Sequence, residues 1–428
     1  MTVSLRVVLV MLALSLFALA ATGSPVYARL SYLWGFVLAT CWLWSKIALR
    51  GVEVTRLTQT RRAEVGQILG ERFQVQNTGR LPRLWVEVRD RSALPGAQGS
   101  RVLTRIGGRE GGSYLARTRL VRRGVFPLGP TELRSADPFG LFPVSRTVPA
   151  GKSVLVYPLM FEVRAFPSPP GLLPGGEALR RRTHQVTPNA ATVRDYAPGD
   201  SMNRIHWPST ARRGRLMAKE FELDPLAEVW IVVDAERAVR VKHSSRTLEE
   251  AADAFWQPLP QVELPPSTEE YAVSIAASLA RYFLRRGRTV GLAYYNQGLD
   301  VLPPDRGGRQ LGKILEALAL LQATGEMSIS ALATAQAQHL PRGSTVILVT
   351  PSVRQDVALT ADYLLRRGLR PVIVLLDAAS FGGPAGSARL AHTIASLGAP
   401  VCRVDRGADL VVALGVVVAA QGMAQLSR

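Results

Sequence analysis

Cysteine and histidine are scarce in this 428-residue chain, which has 2 Cys and 5 His. Cys41 and Cys402 lie near opposite ends of the chain, so their spacing does not define a metal site, and Cys41 stands in an apolar segment where a structural disulfide is not expected. This cysteine usage fits a reducing compartment. The chain also lacks a His-Glu-x-x-His zinc motif and a Gly-x-Ser-x-Gly nucleophile elbow, so neither of these enzyme classes is indicated.

Acidic residues are also few in comparison with basic residues. Lys+Arg number 52 against 33 Asp+Glu, a net charge of +19, while 47% of residues are hydrophobic and 20% charged, as in an ordinary folded protein. The excess is uneven, because the stretch from Arg180 to Lys219 holds nine basic residues and only Asp195 and Asp200 as acids. Nucleic acid, an anionic membrane surface and an acidic protein are all compatible partners at this stage.

Two long apolar runs at the N-terminus predict a transmembrane hairpin. Residues 7–22 carry no charge, and with residues 2–5 the segment reaches the roughly 30 Å of a bilayer core. The second run, from Leu30 to Ser45, places aromatic residues toward its ends, where interfacial belts form. A signal peptide is the alternative for the first run, since "ALA" at 18–20 resembles a cleavage site.

The charges around these runs predict an orientation. Only Arg29 stands between them, whereas Lys46, Arg50, Arg56, Arg61 and Arg62 follow the second run. The positive-inside rule then places the remainder of the chain in the cytoplasm. We therefore expect a protein of the inner (plasma) membrane with two spans in residues 1–50 and a large cytoplasmic part.

Residues 51–167 predict a β-sandwich-like domain. Short segments alternate between apolar and polar residues and are punctuated by Gly and Pro, and no helical period of useful length occurs. The "DPFGLF" stretch at 137–142 has two interpretations: a binding loop, or a turn whose Phe139 and Phe142 fill the core. The sequence favours the second interpretation.

Residues 226–428 predict a doubly wound α/β domain. Apolar runs such as "EVWIVVDA" and "STVILVT" are typical of buried parallel strands, and they alternate with amphipathic segments such as Tyr271 to Leu284. This alternation indicates a sheet with helices on both faces. Ligands of such sheets sit beyond the carboxyl ends of the strands, and Asp234 ends the first one.

The order of these strands resembles the von Willebrand factor type A domain. That family holds a divalent cation on an Asp-x-Ser-x-Ser motif, where this chain has Asp234-Ala235-Glu236-Arg237-Ala238. Both serines are missing, Arg237 adds a positive charge, and Pro351 stands where the family commonly has Asp. The resemblance thus implies a degenerate site at which Asp234 and Glu236 are weak Mg²⁺ candidates, and no cofactor is expected.

The segment from Val193 to Glu222 concentrates the polar residues of the chain and allows several interpretations. Asp200, His206 and either Ser209 or Ser201 offer the acid, base and nucleophile of a hydrolase. One His with one or two Asp offers a poor metal site. Trp207 and Tyr196 among arginines resemble a nucleic-acid patch, although no second such element follows and a membrane anchor argues against DNA. The favoured interpretation is a hydrogen-bonded joint over residues 168–225, with buried His206 and Trp207 and with Asp200 as a helix cap.

The same segment closely resembles the signature of the "domain of unknown function 58" family, and the resemblance extends to the apolar hairpin, to "RRGVFPLGP" and to "DPFGLF". The positions that match the signature are Arg194, Tyr196, Gly199, Asp200, Arg204, Ile205, His206, Trp207, Thr210, Ala211, Arg212, Gly214, Leu216, Lys219, Phe221 and Glu222. The resemblance implies no catalytic role for them. It implies association with MoxR-type AAA+ ATPases, often beside transglutaminase-like membrane proteins.

These observations together predict a non-enzymatic, membrane-anchored accessory or scaffold protein that presents cytoplasmic domains to an AAA+ ATPase. A Mg²⁺-dependent protein-binding module at Asp234 and Glu236 is one alternative. A hydrolase that uses Asp200 and His206 is another. No nucleic-acid partner is expected.

Overall fold

The computed structural model describes residues 2–58, 60–167, 190–197, 202, 205–221, 228–242 and 264–418. Along these residues an N-terminal pair of helices is followed by a region of short strands, a small strand–helix–strand unit, and a larger unit in which strands and helices alternate. This order fits the multi-domain layout predicted from the sequence.

The two N-terminal helices are α1 (Val3–Thr22) and α2 (Pro25–Ala48). With 20 and 24 residues, both are long and apolar enough to cross a membrane. Most of their side chains are exposed, and a hydrogen bond of 3.1 Å from Ser31 Oγ to Ser15 Oγ joins them. Two helices that could span a membrane are therefore present.

The second helix is longer than predicted. Pro25 occupies its first turn, where the missing N–H of proline leaves no helical hydrogen bond unmade, so the helix begins five residues before the expected Leu30. Arg29 consequently lies inside α2, not in a loop. Gly23, in the left-handed conformation at φ 66°, ends α1 and leaves only Gly23 and Ser24 between the helices.

Ten strands lie in the described part of residues 52–157. They are β1 (Val52–Thr58), β2 (Arg62–Glu64), β3 (Ile68–Asn77), β4 (Arg83–Asp90), β5 (Arg101–Ile106), β6 (Gly111–Arg119), β7 (Gly124–Pro127), β8 (Thr131–Ser135), β9 (Val144–Val148) and β10 (Ser153–Tyr157). They form sheets of order β1-β3-β6, β5-β4-β8-β9 and β2-β10-β7. Burial alternates residue by residue along β3, the pattern that predicted half-buried strands.

The first two of these sheets share one core. Phe73 and Val75 from β3 pack with Val86 and Val88 from β4 and with Leu133 from β8. Arg56 also joins the sheets, because its buried guanidinium makes ion pairs of 2.6 Å with Glu71 and 2.9 Å with Asp90. The two sheets therefore face each other across a common core, and we call this region the sandwich.

The loop that contains "DPFGLF" differs from the prediction. Leu141 is buried, whereas Phe139 is 66% exposed. The buried Asp137 carboxylate accepts hydrogen bonds from the backbone N–H groups of Phe139 (3.1 Å) and Phe142 (2.6 Å). These bonds turn the loop so that Leu141 fills the interior in place of Phe139.

Residues 228–418 supply the elements of the α/β unit. They are β13 (Val229–Val233), α4 (Thr268–Arg285), β14 (Val290–Tyr295), β15 (Leu299–Asp305), α5 (Gly307–Leu320), α6 (Ile329–Ala337), β16 (Thr345–Thr350), α7 (Asp356–Arg366), β17 (Arg370–Leu376), α8 (Ser387–Ser396), β18 (Val401–Val404) and α9 (Leu410–Ala413). The remaining elements, β11 (Ala190–Asp195), α3 (Trp207–Arg213) and β12 (Met217–Phe221), belong to the signature segment.

The α/β unit has a six-stranded sheet of order β15-β14-β13-β16-β17-β18. All neighbouring strands are parallel except β15, which pairs antiparallel with β14 at the edge. Helices α4 and α5 pack on one face, and α6, α7 and α8 pack on the other. Helices on both faces agree with the sequence pattern, whereas β15 and α6 were not predicted.

The sandwich region and the α/β unit make a contact outside the joint predicted from the sequence. Val163 and Phe166, expected to end the β-rich domain, pack in the core beside α4. Arg123, in the loop between β6 and β7, reaches the N-terminus of α4, where its guanidinium hydrogen-bonds Glu269. Residues 168–189, assigned to the joint from the sequence, lie outside the described residues.

Candidate functional site

The polar residues at the carboxyl edge of the α/β sheet form one connected group. Asp234 follows β13 and Thr350 ends β16; these strands are parallel neighbours, so their ends meet. Thr350 Oγ1 donates a hydrogen bond of 2.6 Å to Asp234 Oδ2, and the backbone N–H of Glu236 donates one of 3.1 Å to Asp234 Oδ1. All three residues are buried.

A positive charge completes this group. The Arg354 guanidinium pairs with the Glu236 carboxylate, and Arg354 Nε lies 3.4 Å from Ser352 Oγ. An arginine therefore neutralises the carboxylate that the sequence offered as a second Mg²⁺ ligand. Within the described ranges, no group of three His, Cys, Asp or Glu side chains is placed to hold a metal ion.

The environment of Asp234 raises the proton affinity of its carboxyl group. Burial raises the pKa of the Asp234 carboxyl to about 6, against the opposing effect of the hydrogen bonds from Thr350 and the Glu236 backbone. Arg354 lies on the solvent side of Asp234 and Glu236. Its hydrogen bond with Glu236 raises the pKa of the Arg354 guanidinium. The edge thus holds a buried carboxyl group next to an ion pair whose arginine reaches solvent.

Sequence reasoning missed Arg354 and Thr350 as members of this group. It placed the extra positive charge on Arg237, which is exposed. The available signal was the run "VTPSVR" at 349–354, which puts a hydroxyl at the last residue of β16 and an arginine four residues beyond it. The topology of the sheet was required to pair that strand with β13.

Within the described residues, the signature segment forms a strand–helix–strand unit. Strands β11 and β12 pair antiparallel, with Asp195 opposite Met217, and α3 lies between them in the chain. The His206 backbone N–H donates to the Met217 carbonyl (2.8 Å), and the Met217 N–H donates to Thr210 Oγ1 (3.0 Å). These bonds fix the start of α3 against β12.

Two other signature positions have clear structural roles. Gly214 ends α3 in the left-handed conformation at φ 66°, and its N–H donates to the Thr210 carbonyl (2.9 Å). A residue with a Cβ is strained in this conformation, which explains a glycine at this place. The Tyr196 N–H donates to the Leu216 carbonyl (2.9 Å) and extends the pairing of β11 and β12.

Trp207 is not buried, contrary to the prediction for this residue. It opens α3 and is 65% exposed, and Met202 nearby in the chain is 73% exposed. The basic residues at the other end of α3 are also exposed; these are Arg212, Arg213 and Arg215. Arg215 makes an ion pair of 3.0 Å with Asp195, in which both side chains face solvent.

One side-chain contact is consistent with the hydrolase hypothesis. His206 Nδ1 lies 2.7 Å from Ser209 Oγ, three residues further along the chain at the start of α3. The proposed acid, Asp200, and the other proposed nucleophile, Ser201, lie outside the described residues. The structure therefore brings together two members of the predicted set, and the hypothesis stays a prediction.

Several signature positions are not described. Gly199, Asp200, Arg204 and Glu222 lie outside the described residues. Only the backbone of Arg194, Lys219 and Phe221 is described. Of the described signature positions, His206, Thr210 and Gly214 maintain the unit, whereas Trp207 and Arg212 face solvent.

Comparisons with known proteins agree with the resemblance found in the sequence. Residues 192–254 match the family model described as "Protein of unknown function DUF58", a range that includes the signature unit together with Asp234 and Glu236. The chain is 25% identical over 247 residues to the "Uncharacterized protein YeaD" of Bacillus subtilis (strain 168), over 56% of this chain and 54% of the relative. The chain thus spans about half the length of that curated relative. Both findings support the DUF58 family.

Solved structures add little. The CARDB domain of a Pyrococcus furiosus protein covers 24% of this chain and 91% of that domain, at 13% identity and a TM-score of 0.18. The pilus adhesin SpaC of Lactobacillus rhamnosus GG, in its open conformation, covers 46% of this chain and 30% of its own, at 10% identity and a TM-score of 0.28. Similarity at this level carries no argument about fold or function.

Proposed function

We propose that this chain is a membrane-anchored, non-enzymatic scaffold protein of the DUF58 type, which presents its signature unit to a MoxR-type AAA+ ATPase. In this proposal α1 and α2 span the inner membrane and the remaining domains are cytoplasmic. A transglutaminase-like membrane protein is a further partner, and nucleic acid is not. The domains of the proposal are residues 1–50, 51–167, 168–225 and 226–428.

The observation that carries the proposal is the surface formed by Trp207 together with Arg212 and Arg213. Tryptophan and arginine are the residues most enriched among those that dominate protein–protein binding energy. A single exposed hydrophobic side chain is ordinary by itself, but a tryptophan on the same short helix as exposed arginines has the composition of a binding surface. The nearby arginines favour a partner whose docking surface is acidic.

The orientation follows from charge. Lys46 lies in the last turn of α2, and Arg50 and Arg56 follow it. Arg29 lies at the opposite end of α2, so the basic residues still favour the end from which the sandwich begins. The positive-inside rule supports a cytoplasmic position for this end.

We further propose that the α/β unit is a degenerate von Willebrand factor type A-like domain. The position of Asp234 at the end of β13, beside Thr350 of β16, supports this assignment. The contact between Arg354 and Glu236 supports partner binding without a divalent cation, because a guanidinium already satisfies the Glu236 carboxylate. The Mg²⁺-dependent alternative is therefore not favoured.

Binding to a purified MoxR-type ATPase from the same organism tests the proposal. The full chain, solubilised in detergent, is immobilised and mixed with the ATPase in ATP or a non-hydrolysable analogue. Retention of the ATPase is expected with at least one nucleotide. Truncation of a dominant interface tryptophan costs about 2 kcal/mol or more, so Trp207→Ala should weaken binding roughly thirtyfold.

The matched control is Leu359→Ala, which removes a side chain that is similarly exposed on α7. It should bind like the parent chain. No retention with either nucleotide contradicts the proposed partner. Equal binding by Trp207→Ala and Leu359→Ala contradicts the proposed surface but leaves the partner in place.

A further inference from the structure

Three loops of the sandwich lie at the end that is joined to α2, as the pairing of the strands shows. Val52, the first residue of β1, pairs with Asn77, so the loop of residues 78–82 begins beside α2. Gln76 pairs with Gly111, which brings the loop of residues 107–110 to the same end. Ser135 Oγ donates to the Trp85 carbonyl near the start of β4, and this contact adds the loop of residues 136–143. We call these three loops the proximal rim.

The helix and the sandwich are joined without a flexible linker. Ala48 and Leu49 are buried, and Leu49 packs in the same core cluster as Val52. Arg83 Nη2 donates a hydrogen bond of 2.6 Å to the Arg50 carbonyl and ties the connection to β4. The position of the sandwich relative to α2 is therefore fixed.

The loop of residues 136–143 extends along the helix pair. Thr2 Oγ1, at the start of α1, donates a hydrogen bond of 3.0 Å to the Leu141 carbonyl. The Asp137 carboxylate lies close enough to the Cys41 thiol of α2 to interact with it electrostatically. Cys41 precedes the end of α2 by seven residues, so the loop lies alongside about the last 10 Å of that helix. A membrane that contains α2 would then meet this loop at the depth of its headgroups.

The rim combines apolar and basic side chains that face solvent. Phe139 is 66% exposed and Leu81 is 54% exposed. The exposed basic residues at this end are Arg50, Arg80 and Arg109, with Lys46 in the last turn of α2. Aromatic side chains and arginines are the residues that favour the interface between headgroups and acyl chains, especially where the lipids are anionic.

We propose that the proximal rim is a lipid-contacting surface, in which Phe139 inserts at the boundary between headgroups and acyl chains and the arginines contact anionic headgroups. This inference rests on the membrane anchoring of the proposed function. In this proposal the rim holds the sandwich against the membrane surface. The α/β unit is held near the membrane as well, because Arg123 joins it to the sandwich. The inference explains why the loop exposes Phe139 while it buries Leu141.

Depth-dependent fluorescence quenching tests the proposal. The full chain is reconstituted into vesicles of phosphatidylcholine with about 30% phosphatidylglycerol, which makes the membrane surface anionic. The vesicles also contain a lipid that carries a nitroxide at a shallow or a deep acyl position. A fluorophore is attached through Phe139→Cys, Leu14→Cys or Leu359→Cys. The parent chain, whose Cys41 and Cys402 are buried, supplies the background labelling.

The three positions give distinct expectations. The label at Phe139 should be quenched more by the shallow nitroxide than by the deep one. Leu14 lies in the interior of α1 and should show the reverse order, whereas Leu359 on α7 should not be quenched by either lipid. Arg80→Glu combined with Arg109→Glu should reduce the quenching at Phe139 at least twofold while leaving Leu14 unchanged.

The outcomes separate this inference from the anchoring on which it rests. Quenching at Leu14 without quenching at Phe139 overturns the lipid-contacting rim and leaves the anchor. Absence of quenching at both positions overturns the anchor as well. Protection of the Phe139 label from both nitroxide lipids and aqueous iodide shows that protein covers the loop, and this result also overturns the proposal.

Discussion

Arg123 and Glu269 form an ion pair of 2.8 Å in which the two side chains are only 4% and 7% exposed. Arg123 belongs to the β-rich region, and Glu269 lies in the first turn of α4. The same guanidinium pairs with Glu270 and donates to the carbonyls of Leu318 (3.2 Å) and Leu321 (2.8 Å) at the end of α5. One buried cation thus binds the acidic start of one helix and the carbonyl end of another, both of which favour positive charge.

Replacement of Arg123 should separate these parts. Arg123→Met leaves the buried Glu269 carboxylate with Arg240 (2.8 Å) as its remaining partner, so we expect a cost at the lower end of the about 3–5 kcal/mol that the loss of one member of a buried pair brings. We expect the denaturant midpoint of the full chain in detergent to fall accordingly. Arg62→Ala is the matched control, because it removes a solvent-exposed pair (3.4 Å) with Glu316 between the same two regions.

The control should change stability by less than about 1 kcal/mol, as exposed ion pairs do. A decrease for Arg123→Met no larger than that of Arg62→Ala would show that the buried pair does not hold the two regions together.

Removal of the Arg354 side chain should create a cation site. Arg354→Ala leaves Glu236 without its partner beside Asp234 and Thr350, a group of oxygen atoms that suits Mn²⁺ or Mg²⁺. Calorimetry should show Mn²⁺ binding in the variant with a dissociation constant on the order of 10⁻⁴ to 10⁻³ M, as in weak oxygen-ligand sites. The parent chain should show no binding.

The control for that measurement is Arg354→Ala combined with Asp234→Ala, which should lose the new site. Binding of Mn²⁺ by the parent chain that Asp234→Ala abolishes contradicts the role assigned to Arg354 and restores the metal-dependent alternative.

Asp234 should make stability depend on pH. Burial raises its pKa to about 6 from the ordinary value of 3.8, so the folded chain retains a proton that the unfolded chain releases between these values. The stabilising effect of this proton is complete below about pH 4 and is lost as the pH rises to about 6. Each tenfold difference in proton affinity corresponds to about 1.4 kcal/mol.

Asp234→Asn removes this titration. The difference between the unfolding midpoints of the parent chain and the variant should therefore change between about pH 4 and 6 and stay constant above that range. A difference that is constant across the whole range shows that Asp234 has no raised pKa in the folded protein.

Gly214 should be required for the end of α3. Its φ of 66° disfavours any side chain with a Cβ, by about 1–2 kcal/mol. Gly214→Ala should therefore accelerate hydrogen exchange of the α3 amides by roughly five- to thirtyfold if exchange follows local opening. Gly312→Ala, in the interior of α5 with no atom within 4 Å of the added Cβ, should stabilise its helix instead. Unchanged exchange in α3 would mean that Gly214 is not the residue that ends the helix.

Local patterns predicted much of the fold because each depends on a few neighbouring residues. The strands and helices from β13 to β18 followed from apolar runs and amphipathic periods. Strand β15 was missed because "LDVLPPD" is short and contains two acidic residues and two prolines, as an exposed edge strand permits. Helix α6 was missed because it is apolar on several sides and buried, so that it has no clear amphipathic period.

The sites were predicted less well because they depend on contacts between distant residues. The sequence identified Asp234 and Glu236, but Arg354 lies more than a hundred residues away and reaches them only because β13 and β16 are neighbours. Trp207 was expected to be buried on account of its size. Trp207 is exposed because it is the first residue of the short helix α3, where few neighbouring side chains cover it.

The amino-acid sequence by itself determined the apolar hairpin, the alternation of the sandwich strands, the order of the α/β elements and the family signature, since these are properties of local composition and spacing. Only the tertiary structure decided that Arg123 joins the two regions, that Arg354 pairs with Glu236 and that Phe139 faces outward beside α2. The reason is physical: ion pairs and burial depend on which segments the fold brings together, and no local pattern contains that information.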